Sequence, residues 1–145
     1  MMPVFSNILV AIDGSNASEH AFGCAIEEAG LHKAKLNAIY VVETGLFSSL
    51  PSDNTVEVMY RALEKEGNEV LAKAKRVASD KGIQLTTHIK QGHAGNEIIS
   101  LAERQKIDLI VVGSHGKSKT DRLLLGSVSN YVVTHGKITT MVVRL

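Results

Sequence analysis

Five short runs rich in branched apolar residues, at 8–12, 36–42, 83–89, 107–112 and 138–145, alternate with stretches whose apolar residues recur at helical spacing. Parallel strands need a crossover long enough to hold a helix, so this alternation predicts a parallel sheet covered by helices on both faces. The runs at 8–12 and 109–112 are apolar throughout, whereas 83–89 and 139–144 mix in polar residues. Strands buried on both faces take the first pattern, which places the first and fourth runs centrally. With strand 1 central and every crossover right-handed, the economical order is 3-2-1-4-5. That order reverses between strands 1 and 4, and open α/β sheets bind ligands beyond the carboxyl ends of their strands at such a reversal. The segments around Asp13 and Gly113 are therefore the ones to inspect.

The helical stretches are of unequal length. Ala17, Ala21, Phe22, Ala25, Ile26 and Ala29 make one apolar stripe, with Ser15 or Ser18 available as N-cap. The longest helix is expected over about 55–79, ended by Gly82, with Glu57/Arg61 and Glu69/Lys73 as i,i+4 pairs on its solvated face. A third is expected over about 96–105, and a fourth over 127–135, closed by Gly136. Residues 44–54 lack periodicity and contain Gly45, Pro51 and several serines, which reads as a long loop able to act as a flap.

The whole chain of 145 residues suits one domain, 1–145. Sixteen Lys and Arg against 15 Asp and Glu leave a net charge of +1, so no overall pull toward nucleic acid or a membrane surface is expected and any anion site must be local. Cys24 is the single cysteine, which excludes an internal disulfide and a cysteine metal cluster. The histidines at 20, 32, 88, 93 and 135 have no metal-ligand spacing and read as surface or helix-end positions. With no apolar run long enough for a signal or a span, the expected location is the cytoplasm, without a membrane partner.

Strand 4 runs into Gly113-Ser114-His115-Gly116-Lys117-Ser118-Lys119-Thr120-Asp121-Arg122-Leu123-Leu124-Leu125-Gly126-Ser127, directly before helix 4. Glycine at 113 and 116 allows positive φ and close approach of a ligand, and successive free N–H groups in such a turn form an anion nest. Gly126 and Ser127 place donors at a helix N-terminus, where the macrodipole favours phosphate; Lys117, Lys119 and Arg122 add charge. Gly116-Lys117-Ser118 is not a Walker A loop, because position 111 is Val where that loop has glycine. The first strand-to-helix turn, Asp13-Gly14-Ser15-Asn16, lacks the dinucleotide glycine pattern. It offers instead the Asp13 carboxylate, suited to accepting from ribose hydroxyls or to helping hold a hydrated Mg²⁺ on phosphates.

The spacing Gly113-x₂-Gly116-x₉-Gly126-Ser127, with Ile8-Leu9-Val10-Ala11-Ile12-Asp13 at the start and Val142-Val143-Arg144 at the end, resembles the ATP-binding branch of the universal stress protein family over essentially the whole chain. The resemblance implies a Rossmann-like, adenine nucleotide alpha hydrolase-like fold. It also implies ATP, or AMP or ADP, as ligand, with Mg²⁺ carried on the nucleotide. Asp13, beside Gly14, would contact ribose or phosphate, the backbone of Val41 the adenine edge, and Gly113 the ribose. The backbone around His115, Gly116 and Lys117, with Gly126, Ser127 and Val128, would hold the phosphates, and Arg122 would add charge. A homodimer joined through residues 139–145 is implied too. Three positions depart from the family pattern: Ala94 and Thr140 stand where proline is common, and Lys119 where glycine is common.

Without an evident nucleophile or general base, the expected role is a nucleotide-dependent conformational module in a stress response. Two alternatives remain at this stage. Asp13, His115, Ser118 and Ser127 lie where a slow ATPase or self-phosphorylating enzyme would need groups, which a turnover assay separates. A nucleotide-free interaction scaffold would tolerate valine at Gly116 or Gly126.

Overall fold

The computed structural model describes residues 4–47, 54–115 and 125–145. Its elements run β1 (Asn7–Ala11), α1 (Asn16–His32), β2 (Lys35–Glu43), a 3₁₀ turn (Thr44–Phe47), α2 (Asn54–Asp80), β3 (Leu85–Gly92), α3 (Ala94–Arg104), β4 (Leu109–Gly113), α4 (Ser127–His135) and β5 (Thr140–Val143). All pairings are parallel and the sheet order is β3-β2-β1-β4-β5, as the pattern predicts. The flap expected over 44–54 begins as the 3₁₀ turn, and residues 48–53 lie outside the described residues.

Alternation along β1 explains the apolar runs. Ile8 and Val10 enter one core with α1 and α2, through Ala21, Ala25, Ala29, Leu71, Ala74 and Ala78. Leu9 faces the other way, into a core with Ile98, Leu101, Ala102 and Val132 from α3 and α4. Ile8, Leu9 and Val10 of this central strand are thus each buried on one face or the other, and the middle of the strand has no polar position. Four alanines on α1 let that helix sit close to β1 and β4.

Helix ends show where local chemistry acts. Ser15 caps α1 by accepting from Ser18 N–H at 3.2 Å. Lys33, at φ 55°, ends the helix in the left-handed region, and Gly82, at φ 75°, makes the turn after α2. Glu57 and Arg61 form the expected pair at 2.5 Å on α2. One expected end differs, the start of α3, while α4 spans 127–135 and is closed by Gly136 as expected. Helix α3 starts at Ala94, because His93 caps it by accepting at Nδ1 from Asn96 N–H at 3.2 Å. Gly136 ends α4 in extended conformation, φ −83° and ψ 159°, through its N–H to Val132 O. β5 is four residues long, shorter than the apolar run, and β3 is shifted toward Gly92.

A polar clasp closes the sheet at the amino ends of its strands. Asp108 accepts from Ser6 N–H and Oγ, each at 2.9 Å, and from Asn7 N–H at 3.0 Å. Asn7 donates to Gln105 O and accepts from Asn37, whose Oδ1 lies 3.2 Å from His88 Nε2. Since Asn37 Nδ2 already donates to Asn7 Oδ1 and to Ile8 O, its Oδ1 is an acceptor and His88 carries hydrogen on Nε2. His88 is therefore a half-buried member of a hydrogen-bonded network and not a free surface position. Burial, then Lys90 and Arg104, lowers its pKa below 6.5.

For Asp108, burial alone raises the pKa, but hydrogen bonds from Ser6 and Asn7 outweigh it and hold the carboxyl below 3.8. A depressed carboxyl pKa contributes stability above the unfolded value and loses it as pH falls through the folded one. Asp108→Asn is expected to cost about 1 kcal/mol at neutral pH, a modest figure because the site is partly exposed to screening water. Urea unfolding of both forms should show the difference shrinking as pH drops below 3.8. A gap of constant size down to the folded-state titration would place the effect elsewhere.

No helix among the described residues is long and apolar enough to cross a membrane.

Candidate functional site

At the carboxyl ends of β1 and β4, where the strand order reverses, lies a cleft of about 530 Å³. That volume is within the range of small-molecule sites, roughly 300–1,000 Å³. Of the residues singled out by sequence, Asp13, Val41, Gly113, His115, Gly126, Ser127 and Val128 line it. Gly14 does not line it; at φ 85° it makes the turn behind Asp13. Gly116, Lys117 and Arg122 lie outside the described residues.

Asp13 is oriented by its own turn. Its N–H donates to Ser18 Oγ at 3.2 Å, and its Oδ1 accepts from Ser15 N–H at 2.9 Å. Oδ2 has no partner among the described residues, so one acceptor remains at the cleft wall. Val41 contributes main chain. The ladder between β1 and β2 stops at Ala11, and Ile12 N–H to Ile39 O, 3.0 Å, is its last bond among the described residues. Val41 is two residues further on, so its N–H and C=O point to the same edge, past the end of pairing and into the cleft.

The start of α4 lines the same cleft. Gly126, at φ −67° and ψ 163°, is its N-cap and supplies no capping side chain; the first helical bond is Asn130 N–H to Gly126 O. The amides of Ser127, Val128 and Ser129 therefore have no helical acceptor, and all three residues line the cleft. Such a set of amides, at the positive end of the helix, is suited to an anion.

Close packing explains both glycines here. A Cβ on Gly113 would lie 2.9 Å from the carbonyl carbon of Ala17 and 3.0 Å from its Cβ, so only glycine lets β4 end against the first turn of α1. Gly113 does not adopt positive φ, which corrects the expectation of a left-handed turn there. A Cβ on Gly126 would lie 2.8 Å from His115 Cα and 3.1 Å from Ser114 O. Gly126 N–H donates to Ser114 O, and the buried Ser129 Oγ lies 3.1 Å from Ser114 O and 3.0 Å from Gly126 O. Ser114 N–H donates in turn to Val143 O at 2.8 Å. The flanks of the glycine-rich segment are thus pinned to each other, to α4 and to β5.

Sequence reasoning missed Glu43 and His93, which line the cleft beside Val41. The available signal for Glu43 was parity with Val41, which sends both side chains to one face. His93 takes a helix-end place, as expected of it, but histidine is not among the usual N-capping residues and nothing marked it as part of the cleft. Among the described residues no cluster of three or more His, Cys, Asp or Glu is placed to hold a metal ion.

The profile of the universal stress protein family matches residues 5–144. A universal stress protein of Methanocaldococcus jannaschii is 37% identical over 141 residues, covering 97% of this chain and 83% of that protein. The solved universal stress protein UspA of Lactobacillus plantarum superposes with a TM-score of 0.91 at 29% identity, covering 99% of this chain and all of that one. Among more distant chains of the same fold, a universal stress protein at 24% identity and TM-score 0.68, covering 98% of each chain, is solved in complex with cAMP. One from Archaeoglobus fulgidus, at 19% and 0.70, covering 97% of this chain and 99% of that one, is solved in complex with dAMP. Sequence and fold agree along nearly the entire chain, and the protein belongs to the universal stress protein family.

Proposed function

We propose that the protein binds an adenine nucleotide, ATP with its Mg²⁺, and acts as a nucleotide-dependent conformational module in a stress response. One observation carries this reading: the uncapped start of α4 lines the same cleft as Asp13, one of whose carboxylate oxygens has no partner among the described residues. A polyanion with a sugar attached complements that pair, since the amides favour phosphate and the carboxylate accepts from ribose hydroxyls. The main-chain edge at Val41 offers a donor and an acceptor to the adenine, and Gly113 lies beside the ribose. Asp13 is also the residue suited to a water of a nucleotide-borne Mg²⁺. In this reading Gly116, Lys117 and Arg122 belong to the phosphate segment between the pinned flanks. The complexes of distant family members with cAMP and dAMP support the ligand class.

The same reading includes a cytoplasmic homodimer. Among the described residues β5 pairs only with β4, which makes it an edge strand, and Leu145 just beyond it is 63% exposed. A second copy docking along residues 139–145 would cover both.

Purified protein, denatured and chromatographed, is expected to release an adenine nucleotide in near-stoichiometric amount. Stripped protein should rebind ATP in equilibrium dialysis with Mg²⁺. Protein that neither releases nor rebinds nucleotide would sink the proposal.

A further inference from the structure

Glu43 and Ala94 join two walls of the cleft. Glu43 is the last residue of β2, and its Oε1 accepts from Ala94 N–H at 2.8 Å. Its side chain shares a face of the sheet with that of Val41, one step further along the strand. Ala94 is the first residue of α3, following the cap His93, whose ring packs edge-on against Tyr131 of α4 with centroids 4.7 Å apart. Pairing of Glu43 with Gly92 already brings the end of β3 beside the end of β2. Gly92, however, sits at φ 148°, a region that only glycine visits readily, and it leaves the direction of the following chain open. The bond from Glu43 ties the first turn of α3 to the end of β2, and Ala94 and Ile98 line the cleft with Val41.

We propose that Glu43 is a positioning residue for the base end of the cleft. By holding the first turn of α3 against the end of β2, it sets the gap between the Val41 main chain and the apolar surface of Ala94 and Ile98 that covers the base. This rests on the nucleotide reading above.

Three variants separate positioning from capping. Glu43→Gln keeps an acceptor oxygen for Ala94 N–H. Glu43→Ala removes the tether and leaves that N–H without its acceptor. Adding Ala94→Pro to Glu43→Ala removes the orphan donor without restoring the tether. Proline suits the first helical position, and His93, at φ −80° and ψ 121°, already has the conformation required before it. Each protein, stripped of nucleotide, would be titrated calorimetrically with ATP and with adenosine in Mg²⁺ buffer, and its melting temperature recorded.

Glu43→Gln is expected to bind both within about threefold of the parent, and Glu43→Ala about tenfold more weakly, with a lower Tm. The double variant should regain the Tm and stay about tenfold weak, because capping is restored and spacing is not. Recovery of affinity along with Tm would overturn the proposal and make Glu43 a cap only. Parental affinity in Glu43→Ala, or a loss seen with ATP and not with adenosine, would overturn it equally. A parent protein that binds neither ligand defeats the nucleotide reading itself, a result distinct from all of these. Should Glu43→Ala fail to fold, the double variant against Glu43→Gln makes the same comparison.

Discussion

Gly126→Val is expected to remove measurable ATP binding, a loss of at least about a hundredfold, and to lower stability by about 3 kcal/mol. The reason is backbone crowding. The first added carbon would lie 2.8 Å from His115 Cα and 3.1 Å from Ser114 O, and neither neighbour can rotate away as a side-chain tip could. Relief requires the 114–115 segment to separate from the start of α4. That breaks the bond from Gly126 N–H to Ser114 O and disturbs the two contacts of Ser129 Oγ. The free amides of Ser127 and Val128 would then point away from the position that phosphates are proposed to occupy. Equilibrium dialysis with ATP and urea unfolding measure the two effects separately. Parental affinity in this variant would show that the start of α4 is not where the ligand is held.

Gly67→Leu is the second large effect, and here local and tertiary influences have opposite signs. Glycine inside a helix is worse than leucine by somewhat under 1 kcal/mol, so propensity alone predicts a more stable protein. Gly67 is buried where α2 crosses the sheet. A Cβ there would lie 2.5 Å from Tyr40 Cδ1, 2.8 Å from its Cε1 and 2.9 Å from Ile89 Cδ1. Tyr40 is 3% exposed, so its ring has nowhere to move. Overpacking of this kind costs about 1–3 kcal/mol, occasionally more, and leucine adds three carbons beyond the one that already collides. A net loss of about 3 kcal/mol is expected, or roughly 10 °C in Tm at this chain length. A raised Tm would mean that α2 does not approach β2 and β3 this closely.

The two glycine variants illustrate what pattern can and cannot carry. Periodicity is a property of consecutive residues. It therefore places Ala17, Ala21, Ala25 and Ala29 on one face of α1, and it marks the first and fourth runs as central. Handedness and burial then leave few sheet orders to choose among, and the one expected is the one observed. Close approach depends on which segment arrives from elsewhere in the chain, so no local pattern shows why residue 67 or 113 must be glycine. For Gly113 the expected reason, positive φ, differs from the observed one, which is the first turn of α1 pressed against it. His93 is a similar case: its spacing suggests no more than a surface or helix-end position, and it becomes a cap because its Nδ1 reaches Asn96 N–H.

By itself, then, the amino-acid order determined the alternation of strands and helices, the central pair of strands, the reversal point, and the segments at Asp13 and Gly113 that meet there. Those features follow from the spacing of apolar residues and from chirality, both of which act along the chain. The tertiary structure alone decided that Val41 extends past the last bond to β1, and that the start of α4, already legible at Gly126-Ser127, lines one cleft with Asp13. It also decided that Glu43 ties β2 to α3. Each of these depends on distances between segments far apart in the chain, and such distances exist only once two cores have packed on opposite faces of one sheet.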